Sequence, residues 1–203
     1  MARKTKEEAQ NTRKKILDAA LDVFYVKGVG HSSLEDIAEA AGVTRGAVYW
    51  HFKNKADIFN ELHQEIHMSF MDRLINTQTQ SSLSPLEQLS LLCIESVEDI
   101  ETDLHKRKFF TVFFLKCDYA GDLAGLLSIQ NAQKAESLKI TESFFKRAIE
   151  KGDLPKGSDT NLLATSLYCY IGGIIHEYLR NPDFINLKKM TRPLIELYFK
   201  NMI

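Results

Sequence analysis

Ser33-Leu34-Glu35-Asp36-Ile37-Ala38-Glu39-Ala40-Ala41-Gly42-Val43-Thr44-Arg45-Gly46-Ala47-Val48-Tyr49-Trp50-His51-Phe52 holds two helix starts separated by a glycine. Ser33 is a good N-cap, Asp36 stands three residues on to close back on it, and a short apolar-periodic run follows. Gly42 supplies the positive φ that ends that run. Thr44 caps a second short helix, predicted from Arg45 to His51. Ile37, Ala38, Ala41, Val43, Val48 and Phe52 can close on one small core, and the two alanines let the helices approach. Thr44, Arg45, Gly46, Tyr49 and Trp50 are left facing outward. A helix, a glycine-containing turn and a second helix make the helix-turn-helix shape, whose second helix enters the major groove of DNA.

Working outward, a support helix is predicted from Asn11 to Lys27, with Ile16, Leu17, Ala20, Val23 and Phe24 as its buried stripe and Gly28 as its stop. Residues 1–9 are basic and polar, either an arm for phosphate or the minor groove or simply a solvated terminus. After Asn54, a helix over 55–77 is expected to serve two cores, Ile58, Phe59 and Leu62 in the first, Ile66, Phe70, Leu74 and Ile75 in the second. The division into domains, 10–55 and 56–203, therefore falls inside a helix. Further helices are predicted over 85–100 (opened by Ser84-Pro85 after a Ser-rich turn), 104–118, 128–151, 159–180 and 186–200. The total is nine, and the fold class is all-α.

With 203 residues and 44% apolar side chains, the chain can bury a sizeable core. From Met1 to Ala56 there are ten Lys or Arg against seven Asp or Glu, so this end is net +3 and the remainder net −4. That modest asymmetry suits a small DNA-reading head on a body with another task. Cys93, Cys117 and Cys169 lie in apolar runs and read as reduced core residues of a cytoplasmic protein. Neither a membrane span nor a signal peptide is expected.

No catalytic set emerges, so the chain is not expected to be an enzyme or to hold a cofactor. His63 and His67 are spaced to share a helix face, but no third ligand accompanies them, and no metal site is expected. The head is richer. Arg45 is placed to read a base edge, most naturally guanine O6 and N7. Thr44 can meet a phosphate at the helix N-terminus. Gly46 either lets the backbone approach DNA or allows tight helix contact. Tyr49 and Trp50 offer flat faces to the sugar-phosphate wall or a thymine methyl. His51, Lys53 and Lys55 supply hydrogen bonds or charge to phosphates, and Ser32 and Ser33 can donate to the DNA backbone.

Residues 12–59, above all the run from Leu34 to Lys55, closely resemble the DNA-binding head of the TetR family of bacterial one-component repressors. The N-terminal Met1-Ala2-Arg3-Lys4-Thr5-Lys6 and the run Tyr49-Trp50-His51-Phe52-Lys53 look most like the AcrR-type branch, which represses multidrug efflux pump operons. The resemblance implies a three-helix head and a ligand-binding and dimerisation body of helices four to nine. It gives Thr44, Arg45, Gly46, Tyr49, Trp50, His51 and Lys55 the roles named above. The body's sequence diverges widely in that family, so the resemblance weakens beyond residue 60.

The body is expected to have an aromatic-rich interior (Phe70, Phe109, Phe110, Phe113, Phe114, Phe144, Phe145 and Tyr168, with Met68 and Met71). Most of these rings must pack the core, yet so many large side chains leave room for an apolar pocket. It would take a small hydrophobic or cationic inducer, with Glu95 or Glu98 to neutralise a cation and His67, Cys117, Gln133 and His176 as polar anchors. Leu163, Ser166, Leu167, Tyr170, Ile174, Leu194, Ile195 and Tyr198 are expected to form a homodimer interface, with Gly172 and Gly173 permitting close approach. The expected function is a repressor that leaves a palindromic operator when ligand binds. The alternative is a family member that acts in another pathway, as an activator, or as a nucleoid factor without a drug inducer.

Overall fold

The computed structural model describes residues 6–78, 82–119 and 121–200; among them are nine α-helices and no strand. They are α1 (Lys6–Lys27), α2 (Leu34–Ala40), α3 (Arg45–His51), α4 (Lys55–Gln78), α5 (Pro85–Thr102), α6 (Leu104–Thr111), α7 (Leu126–Lys151), α8 (Thr160–Arg180) and α9 (Leu187–Lys200). Arg3 and Lys4 of the basic arm, and Ser81 of the Ser-rich turn, lie outside the described residues.

The predicted helix over 104–118 is broken in two. Its α-helical part stops at Thr111, and Val112–Lys116 widens into a π-helical turn. Lys116 ends this turn, so its carbonyl has no partner further along the helix, and it accepts from Val29 N at 3.1 Å. Gly28, at φ +81°, makes that approach possible, since a Cβ there would stand 3.3 Å from the same carbonyl.

The helices form two compact units, Met1–Ile66 with Lys108–Leu127, and His67–Arg107 with Ser128–Ile203. The first is larger than the expected 10–55 head, for a physical reason. Three short helices of this length bury too little surface alone, and Phe109, Val112, Leu123 and Leu126 complete a core begun by Ile16, Phe24, Ile37, Val48, Phe52, Phe59 and Leu62. Phe24 meets Phe59 edge-on at 6.3 Å, and Phe59 stacks on Phe109 at 6.3 Å. Phe109, expected in the interior of the body, thus belongs to the head's own core, and Phe110 and Phe113, expected there too, are partly buried against it.

In the second unit α5 packs against α9 and α8. Leu89, Ile94, Val97, Ile100, Phe144, Phe145, Ala164, Leu167 and Ile195 are buried there. α5 opens on a reciprocal cap, Ser84 Oγ accepting from Glu87 N while Ser84 N donates to the Glu87 carboxylate. α4 contributes residues to both units, but Ile66, expected in the second core, is partly buried against the first. Ile75 and Met68 do not turn inward; each is half exposed. The buried stripe of this part of α4 runs through Met71 and Leu74, and Ile75 stands a further 100° around the helix. Cys93 is buried and Cys117 half-buried, whereas Cys169, expected in the core, is exposed on α8.

Candidate nucleic-acid interface and ligand body

The short helices of the head are fixed from their ends. Ser33 Oγ accepts from Asp36 N at 3.1 Å, and Ser33 N donates to Asp36 Oδ2 at 2.9 Å. Lys27 Nζ donates to the other carboxylate oxygen at 2.7 Å. The Lys27 bond, followed by the bonds from Ser33, holds the Asp36 carboxyl below the usual range. Gly42 turns the corner at φ +62°, and Val43 N returns to Ala38 O at 3.0 Å. Thr44 Oγ1 then accepts from Ala47 N at 3.2 Å and opens α3.

On α3, Val48 is buried while Thr44, Arg45, Gly46, Tyr49 (46% exposed) and Trp50 (73%) face outward. Arg45 Nη2 donates to Tyr49 Oη at 3.3 Å, and the guanidinium lies 5.3 Å from the Tyr49 ring centre. Its Nη1 pairs with Glu35 Oε1 at 2.6 Å, both side chains being largely exposed. The Tyr49 bond and then the Glu35 charge raise the Arg45 pKa above its ordinary value, so the group is a fixed cation. The half-buried His51 ring meets Trp50 edge-on at 4.5 Å. A Cβ on Gly46 would have Thr44 Oγ1, at 4.0 Å, as its only near neighbour, so helix packing does not require glycine there.

Three expected donors have structural duties. Ser32 is buried, with Oγ donating to Val29 O at 2.9 Å. Ser33 is committed to its cap. Lys55, expected at phosphates, donates instead to Gly30 O at 2.7 Å and Ser32 O at 3.3 Å, tying down the loop between α1 and α2. Sequence reasoning missed Arg13, which donates to His51 O at 3.2 Å, pairs with Glu61 and covers the Phe52 ring at 4.4 Å. It clamps the C-terminal end of α3 to α1 and α4. Nothing local marks it, because its partners are 38 and 48 residues away.

The expected ligand residues divide between the units. Phe113, Phe114 and Cys117 lie in the first, where Phe113 stacks on His63 at 5.4 Å and meets Phe114 edge-on at 5.1 Å. Burial pushes the Cys117 thiol up to about 11 and that of Cys93 up to about 12, away from thiolate chemistry. In the second unit, Phe70 is half-buried and the His67 Nε2 lies 3.5 Å from Glu136 Oε2. Gln133 has a buried, unpartnered Oε1. Tyr168 is exposed, with Lys134 Nζ 5.8 Å from its ring centre. His176 lies beside Glu177. Glu95 and Glu98, expected to neutralise a cation inside, are both exposed, and Glu95 pairs with Arg73 at 3.0 Å. Among the described residues no group of three or more His, Cys, Asp or Glu is placed to hold a metal ion.

Part of the expected dimer stripe packs within the chain. Leu167 and Ile174 are buried. Tyr170 stacks on Tyr198 at 5.0 Å and donates to Leu194 O at 3.0 Å. Tyr198 Oη also meets Ser166 Oγ and donates to Leu163 O at 3.3 Å. Leu163, Tyr170, Leu194 and Tyr198 are only half-buried by these contacts, so part of the stripe stays open to solvent. The outward apolar residues of α8 and α9 are Leu162, Tyr168, Met190 and Leu197. Gly172 and Gly173 have no heavy atom within 4 Å of an added Cβ.

Residues 16–62 match the family model described as bacterial regulatory proteins, tetR family, and residues 84–203 match the C-terminal region of MAATS-type transcriptional repressors. The HTH-type transcriptional regulator AcrR of Shigella flexneri is 38% identical over 202 residues, covering 98% of this chain and 94% of that protein. The crystal structure of NalD, the secondary repressor of the MexAB-OprM multidrug efflux pump in Pseudomonas aeruginosa, superimposes with a TM-score of 0.85 at 35% identity, covering 98% of each chain. A complex of SmeT with triclosan gives 0.84 at 32% identity, covering 95% of this chain and 91% of that one. SmeT represses the multidrug efflux pump SmeDEF of Stenotrophomonas maltophilia. These relatives are transcriptional regulators, not enzymes, in line with the lack of any catalytic set in the sequence. The chain therefore belongs to the TetR family of bacterial regulatory proteins, as a helix-turn-helix transcriptional regulator with a repressor-type C-terminal region.

Proposed function

We propose that the chain is a cytoplasmic repressor of a multidrug efflux pump operon. Residues 10–55 read a palindromic operator as one half of a homodimer, and residues 56–203 bind a small hydrophobic inducer. The observation that carries this reading is the exposed cation and aromatic surface on α3, Arg45 with Tyr49 and Trp50, held on a helix capped at Thr44. It is supported by the roles of NalD and SmeT as efflux-pump repressors and by the triclosan bound to SmeT. Arg45 reads a base edge, Thr44 and Ser33, whose oxygens accept within their caps, donate their hydroxyl protons to phosphate, and Gly46 lets the backbone close on the groove wall. Tyr49, Trp50 and His51 pack on the sugar-phosphate chain, while Lys55 acts through the loop it ties.

The homodimer uses the outward face of α8 and α9, where Leu162, Gly173 and Leu197 lie, beside the open part of the expected stripe. Two-fold symmetry then matches two half-sites on the duplex. Inducer binding shifts α4, whose residues serve both units, and the heads lose their spacing. Linkage requires the inducer to bind the DNA-incompetent state better.

Binding of the purified protein to DNA from upstream of its own gene, with and without a panel of efflux substrates, tests this. Specific binding abolished by at least one compound is expected. No specific complex in the absence of compounds would reject the reading. A sedimentation mass of one chain at micromolar concentration would reject the dimer.

A further inference from the structure

α3 is two turns long, and a helix that short does not hold itself together in water. Its entry is fixed by the Gly42 corner and the Thr44 cap. Its exit has no local device of that kind. The C-cap residue, Phe52, is extended at φ −140° and ψ 134°, so no left-handed residue folds back over the last carbonyls. Val48 O is met by Phe52 N at 2.9 Å. His51 O, the last carbonyl of the helix, is met by Arg13 Nη1 at 3.2 Å. A cation on that carbonyl also stands at the negative end of the helix dipole.

Arg13 lies one turn before Ile16 and Leu17, on the side of α1 that buries Ala20 and Phe24. Where the stripe would carry another apolar residue, it carries a guanidinium whose flat face covers the buried Phe52 ring at 4.4 Å. Nη2 pairs with Glu61 of α4 while Nη1 holds His51 O. One planar fork thus ties three helices of the head. A lysine keeps the charge and one of the two bonds, not both together with the ring contact.

We propose that Arg13 is a positioning residue for sequence recognition. It fixes the exit of α3, and so the placement of Tyr49 and Trp50 against the groove, without touching DNA itself. The inference rests on α3 being the helix that reads the operator. α3 leans on α2 and α2 on α1, so with the fork gone the far end of α3 is free to tilt about its capped entry. Hydrogen bonds to base edges fail over fractions of an ångström, whereas attraction to the polyanion falls off slowly. The loss is therefore one of specificity: operator affinity falls while affinity for random duplex stays.

Titration of fluorescein-labelled DNA from upstream of the gene, and of random duplex of equal length, tests this with wild type, Arg13→Lys and Arg45→Ala at several salt concentrations. Arg13→Lys should weaken operator binding about tenfold and random-duplex binding less than about twofold. Its salt slope should match wild type, because no phosphate contact is lost. Trp50 is the one tryptophan of the chain, so its time-resolved anisotropy reads α3 directly. In the free Arg13→Lys protein the amplitude of the fast component should rise, a change that a general loss of stability does not produce in folded protein. Where Arg13→Lys does not fold, Glu61→Gln, which unpins the fork from α4, should give the same pattern at about threefold. Unchanged operator affinity in Arg13→Lys, or Trp50 anisotropy equal to wild type, would overturn the inference. So would equal losses on operator and random duplex with a salt slope reduced by about one, which would place Arg13 on a phosphate. An Arg45→Ala protein that binds the operator as tightly as wild type would overturn the reading of α3 beneath it. A loss in Arg45→Ala beside an unaffected Arg13→Lys would sink the role of Arg13 alone.

Discussion

α3 and the N-terminal half of α7 both carry polar side chains in unusual company, but for opposite reasons. On α3 the polar and aromatic groups stand in water, and those that need a partner borrow one from nearby, as Arg45 does from Tyr49 and Glu35. On α7 the Gln130 Nε2 and the Gln133 Oε1 have been taken out of water without receiving one. The first arrangement suits a large polyanion that arrives from outside, and the second suits a small molecule that must be enclosed. Exposure and burial thus separate two kinds of recognition that the residue types alone do not.

The comparison can be broken hardest through the core beneath α3. Phe59→Ala removes a fully buried ring between Phe24 and Phe109 and should cost about 3–5 kcal/mol of stability, read by denaturant unfolding. Operator binding should fall with the folded fraction. Arg45→Ala should leave the Tm unchanged and weaken specific operator binding by about 1–3 kcal/mol in a gel-shift or fluorescence titration. Unchanged affinity would remove Arg45 from base reading.

Ser33→Ala should cost about 1 kcal/mol of stability through the lost cap. This prediction carries a pH signature. The folded Asp36 carboxyl titrates below its unfolded value, so its contribution is present above the ordinary carboxylate pKa and is lost as pH falls through the lower, folded one. Ser33→Ala keeps both the Lys27 bond and the backbone N–H of position 33 on that carboxylate, so wild type and variant should lose this contribution together as the pH is taken below about 4, and the difference between them should stay nearly constant. The smallest and most discriminating change is Gly46→Ala. It has room for a methyl and should raise helix stability by about 0.5–1 kcal/mol. Weaker operator binding despite that gain would show that the backbone closes on DNA at this position.

Much of the head was legible because its signals are local. Caps at Ser33 and Thr44, the Gly42 corner and the outward set on α3 all depend on residues within four positions of one another. The clamp by Arg13 and the loop tie by Lys55 span tens of residues and leave no trace in spacing. The π-helical turn at Val112–Lys116 was equally invisible, since nothing in its own run of residues distinguishes it from an α-helical continuation. In α8 the apolar stripe was read as a dimer face, and its pattern could not say which of its members pack within the chain. Tyr170 and Tyr198 turned out to hold two helices of one chain together. Gln133 could be suggested as a polar anchor from the sequence, while Gln130 became visible only when its amide proved to be enclosed and unmet.

The Arg45–Glu35 pair has a further consequence for how the head meets nucleic acid at large. A phosphate that captures Arg45 separates it from a carboxylate 2.6 Å away and leaves that carboxylate facing a polyanion. The same cost falls on every sequence, whereas only a base edge with two acceptors matches the full guanidinium fork. If Arg45 reads a base edge as proposed, Glu35 would weigh slightly against non-specific phosphate contacts. Because both side chains are exposed, added salt screens the internal pair along with the phosphate contacts. The margin between operator and bulk DNA should therefore change less steeply with ionic strength than either affinity does alone.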